Sequence, residues 1–280
     1  MSGIPHNPDG KPLTTEQALI NINQTADPGL RYYAAWWLGK MRVCQAEAID
    51  ALLIALEDES DRSPDGGYPL RRNAARALGK IGQGYDGVLP ALIGCLSCDD
   101  YYVRETAAQA IESLGEASAI PALVTLLDGG VEAAVQVPGK PHLVQPYNAI
   151  LEALGTLGDA DLAPVIQPFL THDVPQVCNA AARAMYQITG ESQYAEQLVR
   201  VLGHDQLQLR RAALMDLGAV GYLAGADAIA NTLAENSMKL IALQGVLEHQ
   251  INLETKSEQS EQSELSTDSR RVMALMDSLL

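Results

Sequence analysis

The sequence predicts an all-α protein, an α-solenoid built from about six helix-pair repeats. Three observations lead to this prediction. An Ala pair followed by Leu–Gly or a similar pair recurs along the chain, apolar residues recur at helical spacing, and Ala and Leu dominate an apolar content of 47%. Ala and Leu favour closely packed helices over sheets. One helix pair could not cover its own apolar face, so several pairs must stack.

The recurring unit is an inner helix with small residues at its centre. Superposing the Ala pairs aligns six positions that are separated by 40, 33, 43, 31 and 32 residues, which is the range of helix-pair repeats. The aligned residues are Arg31, Arg71, Arg104, Tyr147, Cys178 and Arg210. A more aliphatic helix accompanies each copy, for example EAIDALLIALED, with apolar residues at i, i+3, i+4 and i+7. This pattern is typical of HEAT-like repeats.

The ends of the inner helices carry residues suited to capping. Gly follows the last apolar residue of most copies, as at a helix C-terminus. We expect a carboxylate to cap the N-terminus of four inner helices, because it can accept from free backbone N–H groups. The four candidates are Asp27, Asp99, Asp173 and Asp205. The aligned arginines are expected to pair with a neighbouring Asp in a structural ladder.

Two regions are predicted by composition: a solenoid over residues 1–250 and an acidic C-terminal region over 251–280. Residues 254–270, ETKSEQSEQSELSTDSR, are polar and nearly free of apolar residues, so we expect a flexible linker there. Residues 271–280 return to helical spacing and predict a short amphipathic helix. It is expected to dock on its own chain, with docking on a partner as the alternative.

Long insertions separate the two helices in two of the repeats. They are residues 57–69 and 128–146, and both occur at the same place in the repeat. We therefore expect both loops along the same edge of the array. Inserted loops on one edge often shape a binding surface, while tolerated surface loops are the alternative.

Charge and composition exclude several classes of partner. The formal net charge of −16 disfavours binding to nucleic-acid backbones and to anionic membranes, and no apolar run is long enough for membrane insertion. The N-terminal residues 1–12 lack the pattern of a secretory signal. Four scattered cysteines favour a reduced, cytoplasmic protein. Cys95 and Cys98 form a C-x-x-C without a second pair, so we expect buried thiols and no metal site.

A concentration of aromatic residues marks the first inner helix. Four large rings lie within the six residues 32–37, in a chain that is only 5% aromatic. In the aligned repeats Tyr32 corresponds to Arg72 and Glu105, and Trp36 corresponds to Arg76 and Gln109. These counterparts are polar, so Tyr32 and Trp36 should be exposed on the inner face. The alternative is a terminal repeat that completes its core with aromatic side chains.

The string YYAAWWLGKMR at 32–42, followed by RRNAARALGKIG at 71–82, resembles the E subunit of the E/F-type phycobilin lyases. The resemblance covers roughly residues 14–250. It implies an all-helical subunit that pairs with an F-type lyase subunit and attaches an open-chain tetrapyrrole, a bilin, to a cysteine through a thioether.

We therefore expect a heterodimeric lyase that attaches phycocyanobilin, its substrate rather than a cofactor, to the phycocyanin α subunit. Alternatives are a lyase-isomerase, a lyase for another phycobiliprotein, or a non-catalytic scaffold. Circular dichroism and bilin binding of an aromatic-to-Ala variant would separate the scaffold from the lyases.

The resemblance carries over no catalytic role to a single residue, so roles for the inner face and the loops are inferred from the chemistry of a bilin, with its conjugated face, propionates and pyrrole N–H groups. The acceptor brings the thiol, so the lyase needs to supply positioning and at most a proton transfer. Candidates to pack on the bilin are Tyr32, Tyr33, Trp36, Tyr101 and Tyr102. Candidates to pair with its propionates are Arg71, Arg72 and Arg76. Asp99 or Asp100 could face the pyrrole nitrogens, and His142 could be an acid or base. Asp99 as a helix cap and His142 as a solvated loop residue are the alternatives.

Overall fold

A computed structural model of the chain describes residues 13–257 and 265–280. The regular structure within these ranges is helical, and the extended residues pair only at one isolated bridge, Gln136 with Leu143. The chain divides into two compact units, Met1–Leu157 and Gly158–Leu280. The all-α fold predicted from the sequence is confirmed.

The first unit contains nine α-helices in its described part and a 3₁₀ turn at Ala117–Ala119. The helices are α1 (Thr15–Asn23), α2 (Pro28–Lys40), α3 (Ala46–Leu56), α4 (Pro69–Ile81), α5 (Val88–Cys95), α6 (Tyr101–Leu114), α7 (Ile120–Thr125), α8 (Gly130–Ala133) and α9 (Tyr147–Leu157). Helices α2, α4, α6 and α9 are the first four inner helices of the predicted repeat, and α3, α5 and α7 are aliphatic partners.

The second unit contains seven further α-helices in its described part. They are α10 (Ala163–Ile166), α11 (Pro175–Thr189), α12 (Ser192–Val201), α13 (Leu207–Val220), α14 (Ala226–Asn231), α15 (Asn236–Ser257) and α16 (Thr267–Asp277). Short 3₁₀ turns occur at Ala160–Leu162, Gln167–Thr171 and Leu223–Gly225. Helices α11 and α13 are the last two inner helices, so all six predicted copies are present.

Small residues bring neighbouring inner helices of the first unit into close contact. A Cβ atom built on Gly39 of α2 would lie 2.7 Å from the Cα of Ala77 in α4. A Cβ built on Gly79 of α4 would lie 2.7 Å from the Cα of Ala110 in α6. The two contacts are equivalent in the repeat alignment. They fix the spacing and the register of α2, α4 and α6.

The caps of the inner helices agree with the sequence prediction at one position of four. The carboxylate of Asp27 accepts from the N–H of Leu30, as expected. The predictions for Asp99, Asp173 and Asp205 are wrong, because each following helix begins one residue later than predicted. The residues at those N-cap positions are Asp100, Val174 and Gln206. Pro175 fixes the first turn of α11 in place of a side-chain cap.

The aligned arginines do not form the predicted ladder of ion pairs. Arg31 pairs with Asp58 at 2.7 Å and also donates to the carbonyl of Ile22. Arg104 and Arg210 instead donate to backbone carbonyls of the turns beside them. A planar guanidinium carries five donors, and a carbonyl-rich turn satisfies several at once.

The C-terminal helix α16 packs on α14 and α15 within the second unit. Val272 is fully buried, while Leu275 and Met276 are partly buried against the same core. Arg271 pairs with Asp227, and Asn236 donates to the carbonyl of Leu279. Helix α15 extends the structured part to Ser257. The flexible linker predicted at 254–270 is wrong at both ends, because 254–257 belong to α15 and 267–270 form the first turn of α16. Its central part, 258–264, lies outside the described residues, as does the N-terminal stretch 1–12.

In the described ranges, none of the helices combines the length and the apolar character that a membrane crossing requires.

The close approach of α4 and α6 predicts an unusual response to a Gly-to-Ala change. Gly79→Ala should lower the free energy of unfolding by about 2 kcal/mol, because the added methyl group meets the backbone of Ala110. This loss should exceed the gain in helix propensity. Urea-induced unfolding followed by circular dichroism measures the change.

Gly94→Ala is the matched control, because Gly94 is also helical but faces open space. It should raise the free energy of unfolding by about 0.5 kcal/mol through helix propensity alone. Equal effects of the two substitutions would contradict the packing argument.

Candidate functional site

The first three inner helices, α2, α4 and α6, present one common surface, which we call the aligned face. It consists of the residues at two equivalent positions of each helix: Tyr32 and Trp36 of α2, Arg72 and Arg76 of α4, and Glu105 and Gln109 of α6. Tyr32 is 44% exposed and Trp36 is 38% exposed. The prediction that these two rings are exposed, rather than part of the core, is confirmed. Trp37 is partly buried.

Trp36 is held by a ring stack within its own helix. Its indole lies against Tyr33, with ring centroids 5.3 Å apart and planes inclined by 26°. The stacked rings are three residues apart, whereas the sequence suggested pairs four residues apart; both spacings place side chains on neighbouring sides of a helix. Tyr33 is therefore a support for Trp36, and the open face of the indole remains available.

The two inserted loops meet at the start of α6, as their shared position in the repeat predicted. Together they line a pocket of about 320 Å³. Residues 62–68 form one wall, residues 137–144 form another, and Tyr101 and Tyr102 form the floor. A pocket of this size lies at the lower end of the range for small-molecule sites.

Asp100 joins the first loop to the helices and is nearly buried. One carboxylate oxygen accepts from the N–H of Tyr102 at 2.8 Å, and the other accepts from the N–H of Tyr68 at 2.8 Å. The Nε of Arg72 lies 3.8 Å from the same carboxylate. Both oxygens of Asp100 are thus occupied by the protein. Asp99 is exposed and only its carbonyl is engaged, by Arg104.

The second loop is fixed to α6 by Arg104 and by ring stacking. The guanidinium donates to the carbonyl of Val144 at 2.8 Å and to the side chain of Gln145 at 2.9 Å. His142 stacks on Tyr101, with centroids 4.1 Å apart and planes inclined by 14°, and meets Tyr102 edge-on. His142 is therefore held in place by the protein. The alternative, that it is a solvated loop residue, does not agree with these ring contacts.

The three candidate arginines of α4 do not act together. Arg72 lies over the ring of Tyr102, 4.7 Å from its centroid, and Arg76 is exposed beside Asn73. Arg71 instead turns towards the ring of Tyr68 and the thiol of Cys95. The aligned face therefore includes Arg72 and Arg76 but leaves Arg71 on another side of α4.

Glu105 is a half-buried carboxylate of the aligned face that the sequence did not single out as functional. Burial raises its pKa above the ordinary value, although Arg72, Arg76 and His142 act in the opposite direction. Burial also raises the pKa of Tyr101 to about 12, with a further contribution from Glu105. The only sequence signal was its position, equivalent to Tyr32 and Arg72.

The four cysteines are all free thiols. Burial raises the pKa of Cys95 to about 11, which makes this thiol a poor nucleophile, and burial also raises the pKa of Cys178. Cys44 is exposed. Within the described ranges, no cluster of three or more His, Cys, Asp or Glu residues is arranged to hold a metal ion.

Comparisons with known proteins identify relatives over almost the whole chain. The family model for HEAT repeats matches residues 62–136 and 146–233, and the model for the PBS lyase HEAT-like repeat matches residues 30–58. The phycocyanobilin lyase subunit alpha of Nostoc sp. strain PCC 7120 is 60% identical over 272 residues, covering 97% of this chain and 96% of the relative. The bilin biosynthesis protein PecE of the same strain is 42% identical over 243 residues, covering 86% of this chain and 90% of the relative.

A solved structure supports the same relationship. The complex of CpcE and CpcF of phycocyanin lyase from Nostoc sp. PCC7120 contains a chain that is 59% identical to this one. The two superpose with a TM-score of 0.87, covering 99% of this chain and 98% of the other.

The double role of Asp100 predicts a contrast between two adjacent aspartates. Asp100→Asn should lower the free energy of unfolding by about 2 kcal/mol, because the amide offers one acceptor oxygen where two N–H groups need one each. Thermal unfolding would measure the loss, and limited proteolysis should show faster cleavage within residues 61–67.

Asp99→Asn is the control and should change the free energy of unfolding by no more than about 0.5 kcal/mol. A larger effect of Asp99→Asn than of Asp100→Asn would restore the capping role that the sequence suggested for Asp99.

Proposed function

We propose a function from one premise: the chain belongs to the family of the phycocyanobilin lyase alpha subunits. It is a lyase subunit that acts with an F-type partner subunit to attach phycocyanobilin to a cysteine of the phycocyanin α subunit. The observation that links this function to particular residues is the aligned face, where the exposed rings of Tyr32 and Trp36 precede the guanidinium groups of Arg72 and Arg76.

Tyr32 and Trp36 form the part of the aligned face that packs on the conjugated bilin. A flat π-system gains dispersion and stacking energy on exposed rings that need no rearrangement. Trp36 is already braced by Tyr33, so little side-chain entropy is lost when a ligand covers it. The rings therefore provide an oriented surface before the bilin arrives.

Arg72 and Arg76 lie next along the face and bind the bilin propionates. Arg76 is exposed and makes one long hydrogen bond, to Asn73, so most of its guanidinium N–H groups are available to a ligand. A guanidinium matches the geometry of a carboxylate and binds it through two parallel hydrogen bonds. Arg71 is excluded from this role by its contacts with Tyr68 and Cys95.

The attachment reaction needs orientation more than a nucleophile from the lyase. The acceptor thiol adds across the ethylidene group of ring A, so the acceptor itself brings the attacking sulfur. Holding the bilin so that this carbon faces the thiol can remove several kcal/mol of the barrier. Burial makes Cys95 and Cys178 poor competitors for the bilin.

Sequence identity favours this substrate pair over a related bilin reaction. The chain is 60% identical to the phycocyanobilin lyase subunit alpha of Nostoc and 42% identical to PecE of the same strain. Both relatives are matched over most of their length, so the difference is not caused by partial coverage.

The setting that we propose is a reducing, cytoplasmic compartment. All four cysteines are unpaired, and Cys95 and Cys98 stay as thiols although they are only three residues apart. Reducing compartments keep thiols in this state.

The function is tested by reconstitution. The chain, an F-type partner subunit, the apo-phycocyanin α subunit and phycocyanobilin are combined, and the acceptor is analysed for covalently bound colour after denaturation. Omission of this chain should abolish rapid, specific attachment. Equal attachment without the chain would overturn the assignment.

The role of the rings predicts the behaviour of a double variant. Tyr32→Ala with Trp36→Ala should weaken bilin binding by about tenfold or more, because two exposed rings each contribute about 1 kcal/mol of stacking and packing. Changes in bilin absorbance on titration measure the binding.

Tyr85→Ala is the matched control, because Tyr85 is 38% exposed but lies outside the aligned face. It should leave bilin binding unchanged, and circular dichroism should show that both variants are folded. If both variants weakened bilin binding equally, the aligned face would not be the binding surface.

A further inference from the structure

We propose that Glu105 and His142 form a proton donor and acceptor pair for the addition of the acceptor thiol to the bilin. This inference rests on the proposed function and assigns the proton transfers within it. Glu105 belongs to α6 and His142 to the second inserted loop, so the pair joins the aligned face to the loop pocket.

The hydrogen bonding of His142 makes it a proton acceptor. Its Nδ1 lies 2.8 Å from the carbonyl oxygen of Leu143, and a carbonyl can only accept, so Nδ1 carries the hydrogen. The neutral ring therefore has its lone pair on Nε2. Stacking on Tyr101 fixes the direction of the ring. A base in a fixed tautomer and orientation is what an efficient proton transfer requires.

Glu105 has charged neighbours but no bond to any of them. It follows Tyr101 by one helical turn and interacts electrostatically with Arg72, Arg76 and His142. Within the described part of the chain its carboxyl group forms neither an ion pair nor a hydrogen bond. A half-buried carboxyl group without a partner is costly, so its place in the protein needs another explanation. Burial favours the protonated form and makes it a potential acid.

The other acidic residues near the loop pocket do not meet the same conditions. Both oxygens of Asp100 accept backbone hydrogen bonds that hold the first loop on α6, so this carboxylate is already used by the protein. Asp99 is exposed, and Asp65 accepts a hydrogen bond from Ser63 in the first loop. Among these residues, Glu105 alone combines burial, a carboxyl group without a hydrogen bond and an electrostatic interaction with His142, whose ring stacks on Tyr101 one helical turn before Glu105.

The proposed reaction is balanced by these two residues. The acceptor thiol gives its proton to Nε2 of His142, and the sulfur forms a bond to the exocyclic carbon of the ethylidene group. The π-electron pair of that double bond then takes a proton from the Glu105 carboxyl group at the ring carbon. His142 returns its proton to the Glu105 carboxylate, which restores both groups. One S–H and one C=C π bond are replaced by one C–S and one C–H bond, and no oxidant is needed.

The pH dependence follows from the acid role of Glu105. An acid must be protonated to act, so the rate should fall as the pH rises through the pKa of Glu105. That pKa lies above 4.5, because burial outweighs the opposing effect of Arg72, Arg76 and His142. Arg72 and Arg76 face Glu105 from α4, His142 faces it from the loop, and Tyr101 is its neighbour on α6.

The test is Glu105→Gln in the full complex with the F-type subunit, the apo-phycocyanin α subunit and phycocyanobilin. Gln keeps the shape but cannot donate a carboxylic proton, so the single-turnover rate of attachment should fall by about 100-fold. Bilin binding should not weaken, since Gln removes a negative charge beside the guanidinium groups that hold the propionates, and the fall in rate at high pH should disappear. Glu105→Asp should restore part of the rate. Glu116→Gln, exposed in the turn after α6, should behave as the wild type.

His142→Phe keeps a ring on Tyr101 and removes both nitrogens, so the single-turnover rate of attachment should fall. Thermal unfolding monitors folding in each variant, and Glu105→Gln should unfold at no lower temperature than the wild type, since burial disfavours the carboxylate. An unchanged rate in Glu105→Gln, a persistent high-pH limb, or a loss of bilin binding that accounts for the rate loss would each overturn the proposal. Absence of attachment by the wild-type complex would instead overturn the proposed function.

Discussion

The contact between small residues of neighbouring inner helices is the constraint on which the rest of the first unit depends. Gly39 meets Ala77, and Gly79 meets Ala110, at distances that admit no further carbon atom. The three helices are thereby held in one register, so equivalent positions lie side by side on the aligned face. This packing places three kinds of group next to one another: aromatic rings on α2, guanidinium groups on α4 and a carboxyl group on α6. Their order does not depend on a hydrogen bond or an ion pair between them.

The same packing explains why the aligned face is available for a ligand. Core contacts are made by Ala34, Ala35 and Leu38 of α2 and by their counterparts in α4 and α6, all fully buried. The side chains of the aligned face are not required for those contacts. The loops are also held independently, through Asp100 and Arg104 at the start of α6. The ligand-binding residues can therefore differ between repeats while the fold stays the same.

The sequence predicted what depends on periodicity and missed what depends on single tertiary contacts. The repeats, the exposure of Tyr32 and Trp36 and the meeting of the two loops all follow from equivalent positions. The N-cap of α6 does not follow from the repeat pattern. Asp100 takes this position instead of Asp99 partly because it also accepts from the N–H of Tyr68, 32 residues away. Glu105 was passed over for a related reason. Its burial and its relation to His142 arise from a loop that has no counterpart in most other repeats.

The charges around Glu105 suggest how bilin binding and proton donation are coupled. In the free protein Arg72, Arg76 and His142 favour the carboxylate, and burial favours the neutral acid. Two propionates bound by Arg72 and Arg76 would neutralise both guanidinium groups, and the bilin would exclude water from the aligned face. Both changes raise the pKa of Glu105 further. Glu105 would then stay protonated to higher pH when the substrate is in place, because two of the groups that favour its ionised form, Arg72 and Arg76, are the groups that hold the bilin.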